Sequence, residues 1–193
     1  MKIRTESTEI PGVAIVVPDS FDDARGFFYE VYRQDEAASH GLPGRIVQIN
    51  QSKSAKGVVR GLHFQWDPPV GKLMRVIRGT AFLVAVDLRK DSPTLGKWFG
   101  QIFEAAGKKQ LWAPASFARG FCALSEGVEI EYLTTALYNP RTETGIRWND
   151  PAIGIQWPIA DPQLSERDRN APTLAEWLAR PESDRFRMEP SAT

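Results

Sequence analysis

The chain has 193 residues, with 24 basic and 24 acidic side chains, 15 glycines, 14 prolines and one cysteine. This length suits one well-buried domain or at most two small ones, and zero net charge with no long basic run gives no support to a nucleic-acid or polybasic membrane partner. No apolar stretch approaches ~18 residues, which excludes a transmembrane helix, and Cys122 alone rules out an internal disulfide and fits a reducing, cytoplasmic compartment.

Residues 1–9 are polar and lack the apolar core of a signal peptide. Residues 12–17 read as a short apolar strand closed by Pro18-Asp19-Ser20. Residues 22–26 read as a turn, and residues 27–32 as a strand with aromatics on both faces. Residues 35–39 suit one or two helical turns, stopped at Gly41. Residues 45–52 are extended and Ala55-Lys56-Gly57 turns. Arg78-Gly79-Thr80, between the strands 73–77 and 81–88, is a hairpin signature. The run Ala81-Phe82-Leu83-Val84-Ala85-Val86 is apolar at both parities, so it should be covered on both faces, by a second sheet or another subunit.

Strands continue at 97–103, 110–113, 120–124 and 128–137. Many short strands with turn signals between them indicate a sandwich or barrel, a jelly roll among them. After Tyr138 the pattern stops. Residues 139–151 read as loop, 164–169 and 174–179 as short helices, and 181–193 as a loosely held polar tail on a single domain spanning 1–180.

The stretch from Gly57 to Lys72 concentrates the chemistry. Arg60-Gly61-Leu62-His63-Phe64-Gln65 places a cation, a flexible residue, an imidazole and an amide in quick succession, and Lys72 opens the next strand. Titratable groups are costly to bury inside a β structure. His63 and Lys72 on adjacent strands therefore either serve a function or stand at strand ends in water. Side-chain alternation puts Val128, Ile130, Tyr132 and Thr134 on one face, with Glu129 and Glu131 on the other. Tyr132 should face inward, as should Lys72 with Met74 and Val76, and His63 with Val59. A strict pleat would turn Arg60 away from His63; a bulge at Gly61 would bring it round. The only other histidine, His40, precedes Gly41-Leu42-Pro43 as if at a helix end, so no metal site is expected.

These residues resemble the dTDP-4-dehydrorhamnose 3,5-epimerase family, a metal-free branch of the cupin jelly rolls. The resemblance is carried by Arg25 to Glu30, Gln48 and Asn50 with Ser52 and Ser54, Arg60 to Gln65, and Gly71-Lys72-Leu73. It continues through Val86 to Arg89, Ser92-Pro93-Thr94, Gln110 to Pro114, Gly120-Phe121, Gly145 to Pro151, and Leu164 to Asp168. It implies an all-β, cupin-type jelly roll with short peripheral helices near the C-terminus, and a homodimer. It also implies a dTDP-linked 4-keto-6-deoxyhexose substrate, inverted at C3 and C5 without cofactor or metal.

By the same resemblance, His63 is the base and Asp168 the carboxylate that orients it. Lys72 is the cation beside the C4 oxygen, and Tyr132 the acid on the far face. Arg60 and Arg119 would hold the diphosphate, since guanidinium forks match phosphate oxygens. Gln48 and Asn50 would hold the nucleoside. Arg25, Phe27 and Glu30 would reach it from a partner subunit, and Tyr138 would line the same pocket. The chain departs from the family's pattern at Arg119, where relatives often carry histidine, and at Ile49 and Gln51, often Asp and His. Those departures leave open a single-position epimerase. A binding cupin without catalysis is the remaining alternative.

Overall fold

A computed structural model describes residues 2–188. In chain order its strands are β1 Ile3–Ser7, β2 Ala14–Pro18, β3 Phe21–Asp23, β4 Gly26–Phe28, β5 Gln48–Ser54, β6 Val59–Gln65, β7 Lys72–Arg78, β8 Thr80–Asp87, β9 Trp98–Glu104, β10 Gln110–Ala113, β11 Phe117–Ala123, β12 Val128–Thr134 and β13 Glu143–Gly145. The α-helices are α1 Gln34–Ser39, α2 Glu166–Arg169 and α3 Leu174–Leu178. One sheet runs β1-β2-β10-β7-β12-β5 and faces a second, β13-β6-β11-β8-β9; β3 and β4 form a separate ribbon. Paired strands are antiparallel throughout both sheets. This is the all-β, cupin-type jelly roll with short peripheral helices.

Alternation along the strands builds the interior. Met74, Val76, Leu83, Ala85, Phe117, Phe121, Val128 and Ile130 close one end of the space between the sheets. Tyr132 packs against this cluster from the same face of β12, as its parity predicts. Outward-facing Val59, Leu62, Phe64, Phe82, Val84 and Val86 of the second sheet form another buried cluster. The chain's own C-terminal segment covers it, with Ile153, Leu174, Trp177 and Phe186. Trp177 is fully buried, 4.6 Å from Phe64 and 5.5 Å from Phe186 between ring centroids. Truncating such a side chain costs about 3–5 kcal/mol.

The structure corrects several expectations. Arg78-Gly79-Thr80 does not close a hairpin: β7 pairs with β10 and β12, while β8 pairs with β11 and β9, so Gly79 passes the chain from one sheet to the other. The doubly apolar β8 is covered by the facing sheet and by residues 153–186 of the same chain, so it is no argument for a second subunit. The strand expected over 27–32 stops at Phe28. Polar β1 forms at the sheet edge against β2, where no strand was expected. Residues 181–186 are docked: they form a 3₁₀ turn, Phe186 is fully buried, and the Lys90 N–H donates to the Phe186 carbonyl at 3.0 Å. Residues 189–193 of the expected tail lie outside the described residues.

The bulge that the pleat argument required is present. His63 pairs with Arg119 and Arg60 with Phe121, so Gly61 and Leu62 stand opposite Gly120 alone. Val59 therefore packs outward, correcting its expected parity with His63. Both Gly61 and Gly120 are required here. A Cβ on Gly61, whose φ is +125°, would lie 2.6 Å from the Gly120 Cα, and one on Gly120 would lie 2.8 Å from the Arg60 carbonyl oxygen.

Candidate active site

The bulge turns Arg60 and His63 onto a common cavity of about 220 Å³ between the sheets, also lined by Asn50, Ser52, Lys72, Arg119 and Tyr132. His63 is fixed from behind. The His63 Nε2 lies 2.5 Å from the Asp168 Oδ1, which leaves Nδ1 as the second ring nitrogen. Asp168 is 3 % exposed.

Local sequence puts Asp168 there. Ser165 caps α2, its hydroxyl accepting from the Asp168 N–H at 3.1 Å. The preceding segment is strapped to the start of β6: the Val59 N–H donates to the Gln163 carbonyl at 3.0 Å and the Gln163 N–H to the Gly57 carbonyl at 2.9 Å. Burial works to raise the Asp168 pKa, but hydrogen bonding and charge from His63, the Ser165 hydroxyl and the Gly61 N–H outweigh it and hold the carboxyl below its usual range. Asp168 is thus an anion that orients the ring.

Lys72 and Tyr132 stand on the opposite sheet. Burial pulls the Lys72 ammonium down to about 8, and the charge of Arg119 pulls in the same direction. The Lys72 Nζ is 6.0 Å from the centroid of the Tyr132 ring. Burial pushes the Tyr132 phenol up to about 12, against a smaller opposing effect of its hydrogen bond with the Ser52 hydroxyl, 3.0 Å away. Tyr132 is therefore a neutral phenol at pH 7 and can give a proton.

The remaining residues divide into three groups. Gln48, Asn50, Lys72 and Tyr138 line an adjoining cavity with Gln65 and Glu143. The Gln65 side chain orders this rim, donating to the Leu137 carbonyl at 3.0 Å and accepting from the Asn139 N–H at 2.7 Å. Arg60 is exposed, its guanidinium donating to the Ser54 hydroxyl at 3.0 Å and the Lys53 carbonyl at 3.1 Å. Arg119, by contrast, is 3 % exposed, and its Nη2 donates to the carbonyls of Val70 and Pro114. Arg25 and Phe27 sit on the exposed β3–β4 ribbon, outside the lining of both cavities. Arg25 pairs with Asp23 at 2.6 Å, Phe27 is 63 % exposed, and Glu30 pairs with Arg33 at 3.3 Å. His40 is exposed at the end of α1, and among the described residues no cluster of three or more His, Cys, Asp or Glu side chains is poised to hold a metal.

Two residues at the cavities had no role assigned from sequence. Ser52 holds the Tyr132 hydroxyl, and its place two residues beyond Asn50 on the same face of β5 was a readable signal. Glu143 lines the rim and pairs with Arg167 at 2.7 Å; nothing local in the sequence marks it. Other motif residues are structural. Asp87 is fully buried and accepts from Arg89, Ser92 and Thr94, while Asp150 accepts from the N–H groups of Ala152 and Leu174.

A profile of the dTDP-4-dehydrorhamnose 3,5-epimerase family matches residues 7–176. The chain belongs to this family. A family relative from Shigella flexneri, a dTDP-4-dehydrorhamnose 3,5-epimerase, is 50 % identical over 167 residues, covering 84 % of this chain and 91 % of the relative. The dTDP-6-deoxy-D-glucose-3,5-epimerase of Legionella pneumophila Philadelphia 1, solved in complex with dTDP-4-keto-L-rhamnose, superposes with a TM-score of 0.90 at 38 % identity, covering 98 % of this chain and all of that one. The family's wider circle includes a dTDP-4-dehydrorhamnose 3-epimerase from Streptomyces niveus, 39 % identical over 176 residues, 90 % of this chain and 85 % of that one.

Proposed function

We propose that the protein inverts C3 and C5 of dTDP-4-dehydro-6-deoxy-D-glucose, giving the dTDP-4-keto sugar of the L-rhamnose series. The observation that carries this reading is the cavity holding a carboxylate-backed imidazole on one sheet and a neutral phenol on the other, with the Lys72 ammonium lining it beside the phenol. The C4 ketone acidifies the C–H bonds on either side. His63 takes the proton from one of these carbons; the electron pair of the broken C–H bond moves into the ring and the carbonyl π electrons onto the C4 oxygen. Lys72 neutralises that enolate charge. Tyr132 then delivers a proton to the opposite face of the same carbon and the ketone re-forms. His63 returns its proton to water and Tyr132 recovers one, which readies the pair for the second carbon. Arg60 and Arg119 are the candidates for the diphosphate, and Gln48, Asn50 and Tyr138 for the rest of the nucleotide.

The active form is a homodimer. The β3–β4 ribbon exposes Phe21, Phe27 and Phe28 at 63–67 %, and burying each against a partner would contribute ~1.5–3 kcal/mol. Arg25, Phe27 and Glu30 lie outside their own chain's cavity lining, which supports their supply from the second copy. Light scattering should give twice the mass of one chain at micromolar concentration; a monomer alone would contradict this.

A single-position epimerase is the second reading, supported by the Streptomyces niveus relative. Turnover in heavy water separates the two. Deuterium at both C3 and C5 of the product, read by NMR, is expected; label at one carbon alone rejects the double inversion.

A further inference from the structure

Arg119 departs from the usual economy of a protein interior. Its side chain lies in the central strand β11, whose neighbours are β6 and β8, and it is 3 % exposed. Nη2 is anchored on the carbonyls of Val70 and Pro114, while Nε and Nη1 are buried without a hydrogen-bond partner. Leaving N–H groups of a buried cation unpaired is strongly unfavourable unless a ligand completes them. The guanidinium lines the same cavity as His63, Lys72 and Tyr132, and no carboxylate is among the residues lining it. Glu143, the acid felt by Lys72, lines the adjoining rim and is paired with Arg167. The cavity is therefore a preformed site for negative charge, built around the buried Arg119 guanidinium and the half-buried Lys72.

Two anions could satisfy it: the diphosphate, or the oxygen that becomes negative only during the reaction. Geometry favours the second. Arg119 pairs across the sheet with His63, so the guanidinium and the base spring from the same level of the barrel. Arg60 is instead tethered at Ser54, two residues along β5 from Ser52, which holds the Tyr132 hydroxyl. At about 3.3 Å per residue that anchor is roughly 7 Å along the strand, close enough for the Arg60 charge to be felt by the phenol. Arg60 is also exposed, as a ligand for a group entering from solvent should be.

We propose that Arg119 is a second enolate-binding catalytic residue, whose free N–H groups act with Lys72 on the oxygens at C4 and its neighbour, and that it does not bind the diphosphate. This inference rests on the epimerase reading. It replaces one residue role within that reading: Arg60 alone of the two arginines serves the phosphates. The double anchor on Val70 and Pro114 holds the fork in place before substrate arrives, so little reorganisation is needed as charge develops.

The test compares Arg119→Gln and Arg119→Lys with the wild-type dimer. The readouts are kcat, KM, the rate of deuterium entry at C5 in heavy water, and the Kd of dTDP, which carries the diphosphate without the sugar. For Arg119→Gln, kcat and deuterium entry should fall together by about 10²–10³-fold, with the dTDP Kd within about twofold of wild type on the stated view that it makes no phosphate contact. Arg119→Lys keeps a charge without the fork and should fall between the two. The glutamine variant's own near-wild-type dTDP Kd shows that it is folded, and the lysine variant supplies a second, charge-retaining test. A tenfold or greater rise in the dTDP Kd of the lysine variant, or a near-normal kcat in the glutamine variant, overturns the proposal. Failure of the epimerase reading itself would show separately, as a wild-type enzyme that neither turns over the 4-keto sugar nor exchanges its protons.

Discussion

Replacing Lys72 by methionine should make the protein more stable and nearly inactive. The ammonium is desolvated and faces Arg119 and Arg167, with Glu143 only partly offsetting them; together they lower its pKa from 10.5 to about 8. Each pKa unit corresponds to ~1.4 kcal/mol, so the folded state bears a penalty of roughly 3 kcal/mol at pH 7, and methionine fills the same stem volume without it. The sign is testable. Between pH 8 and pH 10.5 the unfolded chain binds more protons at this position than the folded one, so the wild type gains stability as pH rises through that window. The advantage of Lys72→Met should therefore be complete below pH 8, shrink above it and vanish past pH 10.5. Urea denaturation of both proteins at pH 7 and pH 10 measures this, because changes at other groups cancel in the difference. Meanwhile kcat should drop by about 10²–10³-fold, as expected for loss of the donor to a developing oxyanion. A variant less stable than wild type at pH 7, or an advantage unchanged at pH 10, would refute the reasoning.

Asp168→Asn should keep the cap on α2 but lose the charge that supports imidazolium, cutting kcat by on the order of 10²–10⁴-fold with little change in dTDP affinity; steady-state kinetics and titration check it. Tyr132→Phe should uncouple the two proton transfers. Deuterium should still enter the substrate at His63's face, while inverted product forms at least ~10²-fold more slowly, both visible in one NMR time course. Wild-type kcat should decline as pH rises through about 8, where Lys72 becomes neutral; a profile flat to pH 10 would deny the ammonium its part.

The strand pattern was legible because alternation and turn residues report half-buried strands directly, and Tyr132 and Lys72 faced inward as their parity required. Where reading failed, the missing information was long-range. A glycine turn looks the same whether its flanking strands pair or part company between sheets, as at Gly79. An apolar strand such as β8 does not say what covers its second face; residues 153–186 do so from far along the chain. Edge strand β1 buries too little to imprint an apolar alternation. The site divides in the same way. Physical reasoning marked Arg60 and His63 as neighbours conditional on a bulge, and the bulge is there. The His63–Asp168 pair, 105 residues apart, could only be anticipated from the resemblance, since Asp168 in isolation reads as a solvated helix residue. Nothing near Arg119 in the sequence signals that its guanidinium is buried with two N–H donors unpaired.

The central claim is that the His63 imidazole removes the proton beside the ketone, and His63→Ala measures it most directly. With dTDP binding and circular dichroism unchanged to show an intact site, the variant should turn over and exchange substrate protons at least ~10²-fold more slowly than wild type. Near-normal turnover with that variant would contradict the account.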